Sequence, residues 1–443
     1  MAQGQQIPPR TFTLEQAVDY AVQNYPMIHA SQEQVSAAQA NVTLAKTNYL
    51  PRADMLWQGN RATRNNVFGL LLPQSVISPI SGPVLASASN DSVWGSAAGL
   101  LFTWEPFDFG RRGATVNAAR AGQSFANSQV SVTRLDIAVA ATTAFFNVVA
   151  ARQRVTASKA DVERRQVFAN AVHSLVTNQL RPGADASRAD ADLARARVSL
   201  IQAEQAEAVG RAVLAEYLGL GANDVQINAD SLLGNPPAPN PPAAALTSHP
   251  FATAEQERVN QIVAREHILD RSYFPRFYFQ STIFGRGTGA NTDGTLQGGA
   301  NGLGLDRSNW ATGLTVTFPA FDFFPIRAQK KIESANERTE RELYQQTIAD
   351  LTSQLQQAQA ALDGARRVAE NTPIELQAAR EAETQARARY EAGLATIVEV
   401  VEAQGLLVQA ETDDALARLA VWDDLALVNA AQGDLQPFMQ LLH

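Results

Sequence analysis

Cysteine is absent from all 443 residues. That excludes a disulfide framework, a thiolate metal site, a catalytic thiol and a lipid on an N-terminal Cys in the chain as given. The composition suits an oxidising compartment managed without disulfides, and it is equally compatible with the cytosol. Charged side chains make up 18%, below the usual proportion of about a quarter. The net charge of −8 and the lack of any Lys/Arg run of motif length argue against a nucleic-acid partner. No uninterrupted apolar stretch reaches the roughly 18 residues of a membrane-spanning helix, so none is expected. Met1 to Arg10 has neither the charged nor the apolar region of a secretory signal; an exported protein would already have lost its signal from this sequence. His29, His173, His249, His267 and His443 have no ligand spacing, so no metal site is expected. No Ser/His/Asp set sits in a strand–turn–helix context, which leaves no basis for enzymatic chemistry or a cofactor. Gly285-Arg-Gly-Thr-Gly289 lacks the Lys-Ser/Thr and the following helix of a phosphate loop, and it reads as a flexible surface loop.

What the chain does have is length without interruption. From Gly113 to Gln179 there is no proline and no loop-forming cluster, and a second such run, Ile326 to Tyr390, is broken only by Gly364 and Pro373. In the first, Phe125, Ser128, Val132, Leu135, Val139, Thr142, Phe146 and Val149 recur at alternating steps of three and four; Ile348, Leu351, Leu355, Ala358, Leu362 and Ala365 repeat this in the second. The period is that of a left-handed coiled-coil seam. At about 1.5 Å per residue each helix would be about 100 Å long, and such rods need partners. Their Ala-, Ser- and Thr-rich seams suit close packing between neighbouring helices. Taken alone, they would also fit a solvated coiled-coil stalk.

Around these runs the chain follows a programme. Thr11 to Asn48 reads as a helix, with Thr13 as N-cap, Gln16 at the third position, and Pro26 breaking or offsetting it. Strands follow at about 52–60 and 92–105, separated by an Asn/Ser/Gly/Pro-rich segment from about Asn60 to Asp91. Phe107-Asp108-Phe109-Gly110 then turns the chain into the long helix, with Asp108 as its cap. A turn at Arg181-Pro182-Gly183 reverses it into a helix over 184–218 that ends at Leu218-Gly219. Pro-rich 235–242 is a stiff linker within a connecting segment, 220–246.

From there the programme repeats, which divides the chain into halves at 11–219 and 247–433 with a tail over 434–443. Pro250 and Pro275 have the spacing of Pro26 and Pro51, and Tyr273-Phe-Pro-Arg276 answers Tyr49-Leu-Pro-Arg52. Strands at about 276–284 and 309–318 precede Phe321-Asp322-Phe323, the counterpart of the turn at Asp108. The second long helix, 326–390, turns at Glu391-Ala392-Gly393 and returns over 394–433. The strands carry large apolar residues on one face, with aromatics Trp94, Trp104, Trp310 and Phe318 near their ends. Two lone hairpins are marginal, and a sheet edge in lipid leaves backbone groups unpaired. Closure by oligomerisation meets both demands, each of several chains donating four strands to one membrane barrel with aromatics at its interfaces. An amphipathic sheet packed on helices in a soluble domain is the other reading. Arg111-Arg112 after the turn reads as an anchor at the lipid interface, with the preceding carboxylates as the other partner within reach.

In the order and spacing of these marks, from Thr11 to about Gly433, the chain resembles the TolC-like family of outer-membrane efflux proteins. The matching residues are the aromatic-Asp-aromatic turns at Asp108 and Asp322, Leu218-Gly219 closing the first half, and Tyr390-Glu-Ala-Gly393 leading into the last helix. The resemblance implies a mainly α protein with a membrane β-barrel: a homotrimer whose coiled-coil hairpins form an α-barrel across the periplasm and whose strands form a twelve-stranded barrel in the lipid of a Gram-negative outer membrane. It further implies a passive exit duct for a tripartite efflux pump or type I secretion, joined through a periplasmic adaptor to an inner-membrane transporter that supplies the energy. Gly393 and Leu394 match the tip glycine and following apolar residue that adaptors engage, and the resemblance places Tyr390 among the same adaptor-contact residues. Gly183 matches the first tip glycine, although Ala184 follows it where a larger apolar residue is common. Glu399 and Glu402 fall where the family places the two carboxylates of its periplasmic gate, with Glu replacing Asp, and Asp190 matches the acidic position of the first half's inner helix.

Glu399 and Glu402 are three apart and share a helix face. Three copies would gather six carboxylates round an axis, where one pair at about 6 Å repels by roughly 3 kcal/mol before screening, raising their pKa values and favouring a cation. A solvated helix face is the plainer alternative. At the level of the whole chain, a periplasmic coiled-coil structural or adaptor protein is the rival, although adaptors carry one hairpin and this sequence carries two.

Overall fold

The computed structural model describes residues 10–63, 90–237, 245–291, 293 and 295–442. Most of the Asn/Ser/Gly/Pro-rich segment expected over 60–91, part of the Pro-rich linker and His443 lie outside these residues. Strand β1 (Arg10–Phe12) leads into helix α1 (Leu14–Asn24). A capping box starts that helix: the Gln16 N–H donates to Thr13 Oγ1 at 3.3 Å and the Thr13 N–H to Gln16 Oε1 at 3.2 Å. Tyr25 is extended before Pro26, so the helix read over 11–48 is broken at the proline, as expected, and α2 (Pro26–Thr47) begins on the proline itself. Strands β2 (Arg52–Thr63) and β3 (Ser92–Phe107), then helices α3 (Arg111–Thr177) and α4 (Gly183–Leu218), follow. After β4 (Val225–Ile227) the order recurs as α5 (Pro250–Arg271), β5 (Arg276–Thr288), β6 (Arg307–Thr317), α6 (Phe323–Glu391) and α7 (Ile397–Ala431), before a short α8 (Gln436–Met439).

Several boundaries differ from the sequence reading, each for a local reason. Helix α7 starts at Ile397 rather than at 394, because Thr396 is its N-cap and Glu399 closes a capping box with it. Strand β5 continues past Phe284 to Thr288, so Gly285-Arg-Gly-Thr-Gly289 is mostly strand and not a flexible loop. Its glycines serve close backbone approach rather than freedom of movement. The pairing of β1 with β4, parallel from Arg10↔Val225 to Phe12↔Ile227, was not foreseen, since three-residue strands carry no periodicity.

The chain forms two compact units, each assembled from separate stretches. One comprises the chain up to Val35, Ala126–Gln256 and everything from Glu342 on. At its centre lie Ile137, Ala141, Phe145 and Val148 of α3, packed by Leu14 and Val18 of α1, Leu214 and Leu218 of α4, Trp422 and Leu425 of α7, and Phe438 of α8. The seam positions Val132, Leu135, Thr142, Phe146 and Val149 are buried as their spacing implies. Ala141, Phe145 and Val148 lie off that seam and are fully buried too, because here α3 is surrounded on more than one side. Among the described helices α3 alone has the length and composition to cross a membrane, yet half of that apolar window is covered by the protein itself.

The other unit, Ser36–Phe125 with Glu257–Arg341, holds a four-stranded antiparallel sheet in the order β2-β3-β5-β6. The two hairpins are therefore not isolated: β3 pairs with β5 from Gly95↔Thr288 to Phe107↔Phe277. Directly paired residues share a face, so Met55, Leu100, Ile283 and Trp310 stand in one row. They are 85%, 43%, 63% and 76% exposed, which marks that face as apolar and uncovered. On the opposite face Ala97, Leu101, Thr282 and Phe284 are buried, with Leu56 packed on Ala97 and Phe284.

Gly99 of β3 pairs with Phe284 of β5 on the covered face. An added Cβ there would stand 2.5 Å from the Phe284 Cβ and 2.7 Å from the Ile283 carbonyl oxygen. Gly99→Ala is expected to destabilise the fold by about 1–3 kcal/mol through overpacking. The check is a lowered midpoint in thermal unfolding of the detergent-solubilised protein. Gly183→Ala, whose added methyl would meet nothing within 4 Å, should leave that midpoint unchanged.

Candidate functional site

The two helical hairpins end in the same backbone device at different residues. At the end of α3, Gln179 adopts φ 58, its N–H donates to the Val176 carbonyl, and the Leu180 N–H donates to that of Leu175. At the end of α6, Gly393 adopts φ 77, its N–H donates to the Tyr390 carbonyl, and the Leu394 N–H to that of Arg389. Both are left-handed caps of the Schellman type. Gly183 is thus not the geometric counterpart of Gly393; it is the first residue of α4, and Gln179 takes the left-handed position. The apolar residues that follow the caps, Leu180 and Leu394, are 68% and 71% exposed. Sequence reasoning missed Leu180 because it aligned the hairpins on glycine.

Below these caps Tyr390 ties one hairpin to the other. Its ring packs edge-on against Phe168 of α3 at 5.5 Å between centroids, and Phe168, Val172, Ala189, Leu193, Ile397 and Val400 bury it. The hydroxyl donates to Asp185 Oδ2 of α4 at 2.9 Å. Arg181 lies over the same ring, 4.3 Å from its centroid, and its guanidinium donates to the Tyr390 carbonyl at the C-terminus of α6, where the helix dipole favours a cation. Burial, and then the Asp185 hydrogen bond, push the Tyr390 phenol up to about 12. Tyr390 was expected as an adaptor-contact residue, yet it is 1% exposed. Asp185 and Arg181 carried no sequence signal beyond being charged near a turn.

The three carboxylates expected at a gate occupy separate settings. Glu399 is exposed, and its Oε1 accepts the Thr396 N–H at 3.0 Å and the Thr396 hydroxyl at 3.2 Å. The Thr396 N–H, outweighing desolvation, holds its carboxyl below the usual range. Within one protomer this opposes the rise expected from six clustered carboxylates. Glu402 lies exposed one turn on. Asp190 of α4 meets His173 Nε2 of α3 at 2.9 Å, both half exposed. Among the described residues no group of three or more acidic or histidine side chains is placed to hold a metal ion.

In the unit that holds the sheet, Asp108 is buried at the strand-to-helix turn. Desolvation alone would raise its pKa, but the Arg112 N–H at 2.6 Å and the Arg112 guanidinium at 3.0 Å outweigh this, leaving the carboxyl below its ordinary value. Arg112 also stacks on Tyr49 at 4.7 Å and is buried, so it meets the preceding carboxylate and not the lipid interface at which it was expected to anchor. Asp322, in the second turn, is exposed and supplies its main-chain carbonyl to the Ile326 N–H. Trp310 and Phe318 are largely exposed, Trp104 is partly so and donates its indole N–H to the Tyr49 carbonyl, and Trp94 stacks under Arg61 at 5.7 Å. Trp57 and Met55 share the exposed face and were not singled out from the sequence.

Helical hairpins thus occur twice in the chain, each followed by an exposed leucine, and the four-stranded sheet shows one bare apolar face. The outer membrane efflux protein model matches residues 17–220 and 284–433, and the chain belongs to that family. It is 26% identical to Protein CyaE of Bordetella pertussis over 211 residues, which make up 47% of this chain and 40% of that protein, so the aligned part spans less than half the length of this relative. Its fold is similar to the outer membrane protein VceC of Vibrio cholerae, with TM-score 0.72, 18% identity, and 96% and 97% of the two chains covered. It is likewise similar to the Campylobacter jejuni CmeC outer membrane channel, with TM-score 0.73, 16% identity, and 98% and 90% covered.

Because the native protein holds the Tyr390 proton more tightly than an unfolded chain, where phenols titrate near 10 or so, this residue stabilises the tip fully below about pH 10. That contribution is lost as pH rises through about 12. In a tyrosinate absorbance titration of the eight tyrosines, Tyr390→Phe should remove one ionisation from the late end, at about 12.

Proposed function

We propose that three copies of this chain form the passive outer-membrane exit duct of a tripartite efflux pump or type I secretion system. The observation that carries this reading is the sheet: β2 and β6 each have one neighbour within the chain, and one face is bare and apolar. In hydrocarbon an unpaired strand edge costs several kcal/mol per group, and pairing β6 of one copy with β2 of the next removes both edges at once. Three copies of four strands close a twelve-stranded barrel with the row of Met55, Leu100, Ile283 and Trp310 towards lipid. The helical hairpins stand in the periplasm, where the exposed Leu180 and Leu394 offer the apolar contact for an adaptor that leads to an inner-membrane transporter.

On this reading the tip cluster is the gate of the duct. The Tyr390–Asp185 hydrogen bond and the Arg181 contact hold the second hairpin against the first, and movement of α6 and α7 must break both. Glu399 and Glu402 face the axis below, where three copies bring their charge together. The family's membership as an outer-membrane efflux protein and the exposed sheet face both favour this over a periplasmic adaptor.

In planar lipid bilayers Tyr390→Phe, which removes one hydrogen bond to a carboxylate worth about 1.5–3 kcal/mol, should raise the open fraction of the purified trimer. Glu399→Ala with Glu402→Ala should weaken block by multivalent cations. Unchanged conductance in the first variant and unchanged cation block in the second would remove these residues from the gate. A monomer that stays in solution without detergent would refute the duct itself.

A further inference from the structure

The exposed apolar face of the sheet ends sooner than a membrane requires. From the row of Phe277 to that of Ile283 is six residues, roughly 20 Å along a strand at about 3.3 Å each. With strands tilted by about 40°, the height falls to roughly 15 Å, against an apolar band of about 25 Å in membrane barrels. Beyond Ile283 the same face presents almost no side chains, for the next rows are Ala98, Gly285 and Ser308, then Gly59, Ser96 and Gly287; only Trp57, on β2, is large.

That bare stretch is covered by the chain's own β5–β6 connection. The Ser96 hydroxyl donates to the Gly304 carbonyl at 3.3 Å. A Cβ on Gly287 would lie 1.7 Å from the Gly304 oxygen, and one on Gly285 would lie 3.1 Å from the Leu305 Cβ. Gly302, at φ 99, lies against the Trp94 carbonyl, where a Cβ would stand 2.1 Å away. Glycine on both sides therefore lets backbone rest on backbone, while the side chains of Leu303 and Leu305 lie over Gly59 and Gly285 and stay 40% and 50% exposed. The polar part of the connection is elsewhere, in the network of Asn291, Asp293, Thr295 and Gln297.

We propose that residues 302–305 form a strap lying in the lipid hydrocarbon of the outer leaflet, with Leu303 and Leu305 supplying the upper part of the lipid-facing band. It continues the row of Leu100, Ile283 and Trp310 and brings the band from the Phe277 row to the Gly287 row, about 33 Å along the strand and about 25 Å in height. The strap rests on the barrel reading given above.

The chain has no native cysteine, so single substitutions can be spin-labelled without background. Leu303→Cys, Leu305→Cys, Ile283→Cys and Thr295→Cys, each in the full-length trimer in phosphatidylethanolamine/phosphatidylglycerol vesicles, would be compared by collision with oxygen and with a water-soluble nickel chelate. Labels at 303 and 305 are expected to be several-fold more accessible to oxygen than to nickel, like 283 and unlike 295. Labels at 303 and 305 that follow 295 while 283 stays with lipid would overturn the strap and leave the barrel standing. Nickel access at 283 as well would overturn both.

Discussion

The constraint on which this structure turns is that a strand cannot leave its N–H and C=O groups unpaired in hydrocarbon. The β3–β5 ladder is the chain's first answer, because it merges two hairpins, separated by three long helices, into one sheet. That merger halves the number of strand edges the chain leaves unpaired, from four to two. It also explains why Gly99 is glycine: β3 and β5 approach so closely across from Phe284 that no side chain fits. The repeat seen in the sequence is thus tied together at the sheet, and the compact unit that contains the sheet draws on both halves.

At the hairpin tips a different economy applies. Helix ends leave carbonyls without partners, and here they are met both by left-handed caps and by Arg181, which reaches from one hairpin to the Tyr390 carbonyl of the other. Gln179 adopts the left-handed conformation without glycine's freedom, at a cost of about 1–2 kcal/mol, while Gly393 adopts it freely. The first tip is accordingly the more strained of the two. The bond that joins them, Tyr390 to Asp185, runs between a buried phenol and a half-buried carboxylate, so it is sheltered from the screening that weakens surface pairs.

Much of the fold was legible because long helices advertise themselves. The step of three and four from Phe125 to Val149 marked the buried face of α3, and Thr13 with Gln16 marked the start of α1. Positions such as Ala141 and Phe145 were illegible as core, since a helix enclosed on several sides has no single stripe. Long-range pairing was equally hidden. Nothing in β3 and β5 separately says that Leu100 lies opposite Ile283, and the β1–β4 pair is too short to announce itself. At the site, Tyr390, Glu399 and Asp190 were found through motif position, but their partners Asp185, Thr396 and His173 are set by helix rotation, which spacing does not fix. The glycines at 285, 287 and 289 were read as slack when they serve contact.

The composition of the helical core has a consequence for biogenesis. Phe145 shares one buried cluster with Leu14 and Val18 from early in the chain and with Trp422, Leu425 and Phe438 from its last stretch. A ribosome therefore emits the greasy middle of α3 long before the residues that cover it exist. Until synthesis is nearly finished, that surface has to be shielded by something other than its final neighbours, and a nascent chain of this design will depend on a holding chaperone more than one whose core closes locally.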